Sequence, residues 1–478
     1  MLESSGAIRN YPENKMASKT PTQFSSLALR TELLQALYAV NYIDMSPIQS
    51  ASANAVIEGR DLLAQAETGS GKTAAFAIGL LNKLDIARFQ TQALVICPTR
   101  ELADQVAAEI RRLASAMANT RVLTLCGGKP IHDQLTSLKR APHIVVGTPG
   151  RLKKHLEKNT LDLGGINTLV LDEADRMLDM GFYDDIMHIL VRTQKDRQTL
   201  MFSATYPDEI LGISRLIQQD PLEVRVEGSH TGEKIEQLFV LTSEEEKTET
   251  LFRVMGKYPM ESAIIFCNRK SQVQGVCDVL KKQGIRARAL HGDLDQRERD
   301  EAIILFANKS ISFLVATDVA ARGLDINELS AVINYDLTPD PETYLHRIGR
   351  TGRAGLEGLA ISLLGKNEMR RVNAIEEFLH SDAQFVELSH SDRNDGPASH
   401  PATSTIQIGA GKKDKIRAGD IVGALTADSS LTNDHIGKIT VQAKVSFVAV
   451  EFAKAKTALD ILSNGRIKKQ RVRVRQIG

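Results

Sequence analysis

Residues Ala66-Glu67-Thr68-Gly69-Ser70-Gly71-Lys72-Thr73 lie between an apolar run of strand length at 62–65 and a segment of helical pattern. A glycine-rich turn that joins a strand to a helix and ends in Lys-Thr gathers backbone N–H groups at a helix N-terminus, a geometry that favours a phosphate. Gly69 and Gly71 let the backbone approach it. Lys72 is placed to reach β- and γ-phosphates, and the Thr73 hydroxyl to ligate magnesium. Ala66 stands where the generic pattern opens with glycine. Further on, Asp172-Glu173-Ala174-Asp175 follows the apolar run 168–171. Asp172 suits the magnesium shell, through water, and Glu173 is placed to orient or deprotonate an attacking water. The two segments together predict a chain that binds a nucleoside triphosphate with magnesium, hydrolyses it, and couples the hydrolysis to another event.

At 478 residues the chain exceeds one compact core, so two to four domains are expected. Near-continuous apolar runs at 62–65, 93–97, 121–125, 143–146, 168–171 and 199–202 alternate with helical patterns. Such runs read as strands of a parallel sheet covered on both faces. Ligands then belong at the strands' C-terminal ends. The pattern restarts at 262–267, 287–290, 312–316, 331–334 and 359–363, without a second Gly-Lys-Thr loop. The fold class expected is α/β, two tandem parallel-sheet domains followed by a small α+β domain. Its boundaries are a disordered extension at 1–22, domains at 23–228 and 229–388, a Ser/His/Asp/Pro/Gly-rich linker at 389–404, and a tail domain at 405–478 with the order βαββαβ. Residues 401–478 hold 14 lysines and arginines against six acids, a net of +8 in a chain of net charge +1. That surplus points to an anionic partner. Cys97, Cys126, Cys267 and Cys277 lack metal-site spacing and read as reduced thiols of a cytoplasmic protein. The opening residues have no apolar core of a signal peptide, and no run reaches the length of a membrane span.

The chain resembles the DEAD-box RNA helicases across 24–378, with the family's motifs in order. Tyr42 through Pro47-Ile48-Gln49 is similar to the adenine-reading Q motif, with Phe24 as its upstream aromatic. Tyr42 and Ser46 stand where Phe and Thr are typical. Pro98-Thr99-Arg100-Glu101-Leu102, Gly127-Gly128 and Thr148-Pro149-Gly150-Arg151 resemble the RNA-contact motifs of the first domain, and Ser203-Ala204-Thr205 the coupling motif. In the second domain Ile265-Phe266-Cys267-Asn268, Gln296-Arg297-Glu298-Arg299, the segment from Ala316-Thr317-Asp318 to Arg322-Gly323-Leu324-Asp325, and His346-Arg347-Ile348-Gly349-Arg350-Thr351-Gly352-Arg353 complete the set. The resemblance implies an ATP-dependent RNA helicase built on two RecA-like domains, with ATP and Mg2+ bound at 66–73. Gln49 would hydrogen-bond adenine, Phe24 stack on it, and Asp325 reach the ribose. Arg350 and Arg353 would act as arginine fingers. Thr99, Arg100, Gly127, Gly128, Thr148, Arg151, Arg299, Thr317 and Gly323 would meet the RNA, and Asp175, His346 and Arg347 would join Ser203, Ala204 and Thr205 in coupling.

The basic tail, with Lys412-Lys413-Asp414-Lys415-Ile416-Arg417-Ala418-Gly419-Asp420, is similar to the C-terminal domain of the bacterial DbpA group. This resemblance implies a hairpin of large-subunit ribosomal RNA as partner, in pre-ribosomal particles. Within 445–452, Phe447 is the residue able to stack a base, while Ala449 stands where a second aromatic is usual in RNA-recognition domains. Alternation in 471–475 puts Arg471, Arg473 and Arg475 on one face. With Lys412, Lys413, Lys415, Lys468 and Lys469 these read as a phosphate-binding surface; a solubilising edge strand is the alternative. An ATP-gated RNA clamp without productive unwinding would carry the same motifs; a DNA translocase is a second rival, against which the Gln49 motif and the RNA-recognition-type tail both argue.

Overall fold

The computed structural model describes residues 22–66, 69–128, 130–206, 208–226, 235–321, 329–352, 357–393, 401–427, 429–468 and 470–477. The chain divides into two units, 1–228 and 229–478. Among the described residues no helix is long and apolar enough to cross a membrane.

Short strands apolar on both faces need cover on both sides, and the first unit supplies it. Its strands are β1 (Leu62–Gln65), β2 (Ala93–Ile96), β3 (Val122–Leu125), β4 (Ile144–Gly147), β5 (Thr168–Asp172), β6 (Gln198–Ser203) and β7 (Leu222–Arg225), in the spatial order β3-β4-β2-β5-β6-β1-β7. All pairings are parallel. Alternate residues enter two cores: Ala93 and Val95 join Phe76 and Ile110 on one face, while Leu94 and Ile96 join Leu152 and Ile189 on the other. The order brings β5, β6 and β1 side by side, so Asp172, Ser203 and the loop after Gln65 emerge at neighbouring points of one edge.

The second unit repeats the plan with β8 (Ile235–Leu241), β9 (Ala263–Phe266), β10 (Ala287–Leu290), β11 (Phe313–Ala316), β12 (Ala331–Asn334), β13 (Gly358–Leu364) and β14 (Gln384–Phe385), ordered β10-β11-β9-β12-β13-β8-β14. Strands β7, β8 and β14 are additions to the set expected. They lie at or next to a sheet edge, where charged residues such as Glu223, Arg225 and Glu236 stay exposed and break the apolar run.

The tail forms a four-stranded antiparallel sheet, β16 (Ile436–Val441), β17 (Ser446–Glu451), β15 (Thr403–Ile408) and β18 (Val474–Ile477) in that order. Helices Ala418–Leu425 and Ala455–Asn464 cover one face, burying Ile406, Ile408, Val448 and Val450. The last strand begins at Val474 rather than 471. The described ends of the expected linker are folded: Arg393 pairs with Glu249, Lys257 Nζ lies 3.7 Å from Asp392, and β15 starts at Thr403.

Helix Lys72–Lys83, which carries the end of the phosphate loop, packs on helix Pro47–Glu58 at Gly79. A Cβ there would lie 2.1 Å from Cγ1 of Val56. Gly79→Ala should lower stability by about 1–3 kcal/mol from overpacking, which outweighs the roughly 1 kcal/mol that alanine adds to a helix. Adding Val56→Ala should return most of the loss. Urea unfolding followed by circular dichroism measures both, because the chain has no tryptophan.

Candidate active site and nucleic-acid interface

The phosphate loop is set by two left-handed glycines, Gly69 at φ 90° and Gly71 at φ 95°. Gly71 is fixed on a second count, since a Cβ there would lie 2.6 Å from Nε2 of Gln49. That closeness reflects a direct tie. Ser46 and Gln49 form a capping box at the start of helix Pro47–Glu58, where the Ser46 N–H donates to Oε1 of Gln49 at 2.8 Å. Nε2 of Gln49 donates to the Gly71 carbonyl at 3.0 Å, and the Ser46 hydroxyl to the Ser70 carbonyl at 2.7 Å. The serine thus does the work asked of a threonine. A primary amide offers two N–H groups and two oxygen lone pairs, so these bonds leave Gln49 one donor and one acceptor.

Tyr42, in place of phenylalanine, finds partners for its hydroxyl. It donates to Glu109 at 3.1 Å and accepts from Arg112 at 2.7 Å, with that guanidinium 4.8 Å above its ring. Burial and Glu109 raise its phenolic pKa. The Phe24 ring lies 6.2 Å from that of Tyr42 and is 2 % exposed. It offers no open face to a base here, so the stacking role expected of Phe24 is not met in this arrangement. The cause is local: the Phe24 N–H bonds to the Ile43 carbonyl and the Met45 N–H to the Thr22 carbonyl, folding the segment over its own ring.

Lys72 is buried, with Nζ 4.0 Å from Asp172 and 3.5 Å from the Ala66 carbonyl. Asp172 is fully buried, and neither carboxylate oxygen has a hydrogen-bond partner. Burial pushes its pKa up to about 6, against the opposing pull of Lys72. An orphaned carboxylate at the mouth of a phosphate loop, with the Thr73 hydroxyl on that loop, is the hard oxygen donor set that suits magnesium. Glu173 adopts a left-handed backbone at φ 54° and accepts from buried Arg176 at 2.8 Å. Non-glycine residues are held in that region at a cost, and they cluster at functional sites. Asp175 turns toward β6. One oxygen accepts from the N–H groups of Ala204 at 3.0 Å and Thr205 at 3.1 Å and from the Thr205 hydroxyl at 3.2 Å, and the Asp175 N–H donates to Ser203 Oγ at 3.3 Å. Glu67 and Thr68 lie outside the described residues.

At the ends of β2, β3 and β4 the expected RNA-contact residues converge. The Thr99 hydroxyl caps helix Arg100–Leu113 by accepting from Leu102 N–H at 3.2 Å. The Arg100 guanidinium lies against Gly127, 3.0 Å from where a Cβ would stand. Burial, and then the neighbouring Arg100 charge, pull the Arg151 pKa down. Two like charges held together suit a polyanion. Gln134, which the sequence did not single out, organises the group. It donates to the Cys126 carbonyl at 2.9 Å and accepts from Arg151 at 2.8 Å, and His155 lies 2.9 Å from the same oxygen. Thr148 precedes helix Pro149–Glu157 as its N-cap residue, and Gly128 takes φ 71°.

In the second unit Arg347 is 2 % exposed and every guanidinium nitrogen is engaged. It makes a bidentate pair with Asp318 at 2.6 and 2.7 Å, and bonds to Asn268 at 2.8 Å, Asn334 at 3.2 Å and the Asp336 carbonyl at 2.7 Å. It therefore ties together the ends of β9, β11 and β12. Asp336 extends the network by accepting from Lys247 at 3.0 Å and from the Asn268 N–H at 2.9 Å. Thr317 follows β11, its N–H bonded to the Leu290 carbonyl at 3.3 Å, and Arg299 stands in the first turn of helix Gln296–Ala307. His346 is half-buried and Arg350 buried. Gly323, Asp325 and Arg353 lie outside the described residues.

In the tail Lys412, Lys413, Lys415, Arg417 and Lys468 are exposed, and Lys468 Nζ donates to the Lys415 carbonyl at 2.9 Å, joining two distant segments into one basic cluster. Arg471 and Arg473 are exposed; Lys469 lies outside the described residues. One expected contact is placed otherwise: Phe447 is 4 % exposed in the apolar cluster of the second parallel sheet and offers no open ring to a base. Arg475 bonds Gln407 at 2.6 Å and pairs with Glu301 at 3.4 Å, and its side chain stays exposed at the margin of that face.

The DEAD/DEAH box helicase domain matches residues 46–212, the helicase conserved C-terminal domain 246–355, and the DbpA RNA binding domain 405–476. The chain belongs to the DEAD-box family of ATP-dependent RNA helicases. Within it the chain is similar to ATP-dependent RNA helicase DbpA of Escherichia coli, 49 % identical over 456 residues that cover 95 % of this chain and 99 % of the relative. CshA of Listeria monocytogenes is 43 % identical over 387 residues, covering 81 % of this chain and 74 % of its own. Saccharomyces cerevisiae Dbp5 bound to RNA and ADP BeF3 superposes with a TM-score of 0.68 at 32 % identity, covering 77 % of this chain and 96 % of that one. The three domains are thus two RecA-like domains and a C-terminal RNA-binding domain.

The raised pKa of Asp172 sets a testable cost. The native state favours the protonated carboxyl, so ionisation destabilises it; the penalty is complete above about pH 6 and absent below the unfolded value near 4. Asp172→Asn should abolish ATP turnover yet raise the melting temperature of metal-free protein at pH 7.5, at roughly 2–4 °C per kcal/mol. The gain should vanish as pH falls from 6 to 4. Calorimetry across pH measures it, and equal melting at pH 7.5 would remove the strain assigned to Asp172.

Proposed function

We propose that this helicase, which couples ATP hydrolysis to RNA unwinding, opens short duplexes beside a hairpin of large-subunit ribosomal RNA, in assembling ribosomal particles of the cytoplasm, and that its C-terminal domain selects the site. The observation that carries the chemical part is the orphaned Asp172 carboxylate beside Lys72 at the mouth of the phosphate loop. Thr73 and, through water, Asp172 would hold magnesium, which would supply charge neutralisation at the phosphates. Gln49 keeps one donor and one acceptor, the pair that matches N7 and N6 of adenine. Lys72 and the N–H groups of residues 66–73 cradle the phosphates, and Glu173, steadied by Arg176, orients the water. Arg350 and Arg353 are read as fingers that stabilise transition-state charge, and Asp325 as the ribose contact.

The RNA part rests on convergence of charge. Arg100 and Arg151 meet beside Gly127, and the motifs of Thr99, Thr148, Arg299, Thr317 and Gly323 continue the track in kind. Contacts of this type grip a backbone and read no sequence, so site choice falls to the tail, whose basic cluster at Lys412, Lys413, Lys415 and Lys468 is exposed.

Two outcomes follow. Glu173→Gln should retain ATP binding and RNA clamping while single-turnover hydrolysis falls about 10²–10⁴-fold, the range for loss of a general base, and strand displacement falls with it. Loss of ATP affinity instead would assign Glu173 to the metal shell. Charge reversal of Lys412, Lys413 and Lys415 to Glu should weaken binding to a large-subunit ribosomal RNA fragment and make its salt slope shallower by about two. ATPase activity at saturating unrelated RNA should be unchanged. A preserved slope in filter binding would place the RNA surface elsewhere.

A further inference from the structure

The tail sheet has two faces, and each packs against other elements. Helices cover one. The other, which in this βαββαβ architecture ordinarily carries the base-stacking aromatics, rests on the second RecA-like domain through four separate kinds of contact. Phe447 of β17 and Ile477 of β18 join Ile304, Phe306 and Ile311 in one apolar cluster. Beside them lies a buried polar knot: Asn308 Nδ2 donates to Thr405 Oγ1 at 3.0 Å, the Ser310 hydroxyl lies 2.7 Å from that of Thr405 and 3.0 Å from that of Thr403, and Thr403 also donates to the Asn308 carbonyl. At one margin Arg475 pairs with Glu301 at 3.4 Å. At another the Arg286 guanidinium sits 5.1 Å above the Phe452 ring.

Apolar contact alone would tolerate sliding. Directional bonds among side chains as buried as Asn308, Ser310 and Thr405 do not, because another orientation leaves further polar groups unpaired in the interior beyond Asn308 Oδ1, which has no partner here. The contacts come from three of the four tail strands and, on the other side, from Glu301 in the middle of helix Gln296–Ala307 through its C-terminal end to Ile311, so they fix rotation as well as distance. A chain tethered by a linker alone would have none of them.

We propose that the C-terminal domain is a fixed arm of the second RecA-like domain, so that the enzyme opens duplexes only at a set distance and helical face from the RNA its tail holds. The sheet surface of the RNA-recognition fold has been given over to this joint. Site choice is then geometric. A tether would raise the local concentration of helicase around the bound element with a smooth fall-off in distance, whereas an arm presents the helicase to one stretch and one side of the adjoining helix. The inference rests on the reading that the tail selects RNA, and the experiment separates the two.

The probe is the large-subunit ribosomal RNA fragment that the full chain binds most tightly, joined to a short target duplex through rigid base-paired spacers lengthened one pair at a time. The full chain should unwind with a rate that oscillates at the period of the A-form helix, by about ten-fold between best and worst phase, where a tether gives a smooth decline. Ser310→Arg and Phe447→Asp, which wedge the joint from opposite sides, should keep fragment binding and flatten the oscillation to about two-fold or less. Ser310→Cys with Thr405→Cys, at hydroxyls 2.7 Å apart, should form a disulfide and leave the wild-type profile intact; the four native thiols are buried. Preference for the fragment without phase dependence overturns the arm alone, as does an oxidised double cysteine variant that hydrolyses ATP but no longer unwinds. Absence of any preference for the fragment over an unrelated RNA of equal length overturns the targeting reading instead.

Discussion

Parallel strands all end on the same side of their sheet, and that constraint governs this molecule. In the first RecA-like domain the order of β5, β6 and β1 places an acid, a hydroxyl-bearing turn and a phosphate loop in a row. None of these segments is near the others in sequence. What remains for side chains is to lock the loops once the sheet has gathered them, and short polar residues suffice because the distances left are those of one hydrogen bond.

The two RecA-like domains solve that locking problem with opposite chemistry. In the first, one carboxylate oxygen of Asp175 collects three donors from the turn after β6. In the second, the guanidinium of Arg347 spends its donors on groups from three strand ends. An acceptor-centred knot yields when its donors move, as a turn can. A donor-centred knot at the base of a helix is satisfied only if all its acceptors stay in register. Arg347 is therefore a brace internal to its own domain, and any signal passing through it must travel as motion of the three strand ends together.

Much of this was legible in the sequence, for a physical reason. Interior parallel strands are apolar on both faces, so β1, β2, β5 and β9 stand out, and the motifs sit at their ends. Strands at or beside a sheet edge, such as β7 and β8, mix exposed charge with burial and blend into loops. The misplaced residues share another cause. Phe24 and Phe447 were read from side-chain chemistry, as rings that stack. Whether a ring faces a ligand or a neighbouring element depends on packing between segments far apart in the chain, about which local pattern is silent. Gln134 escaped notice for the complementary reason: one glutamine in an amphipathic helix carries no local sign that its amide bridges two loops.

The close approach of Gln49 to Gly71 has a consequence for heredity. With an amide nitrogen 2.6 Å from where a side chain would begin, no substitution at 71 can leave residue 49 undisturbed. Loss of the amide at 49 equally removes a support of the loop. The two positions form a single mutational target: lesions at either should belong to one phenotypic class, and a suppressor of one is to be sought at the other.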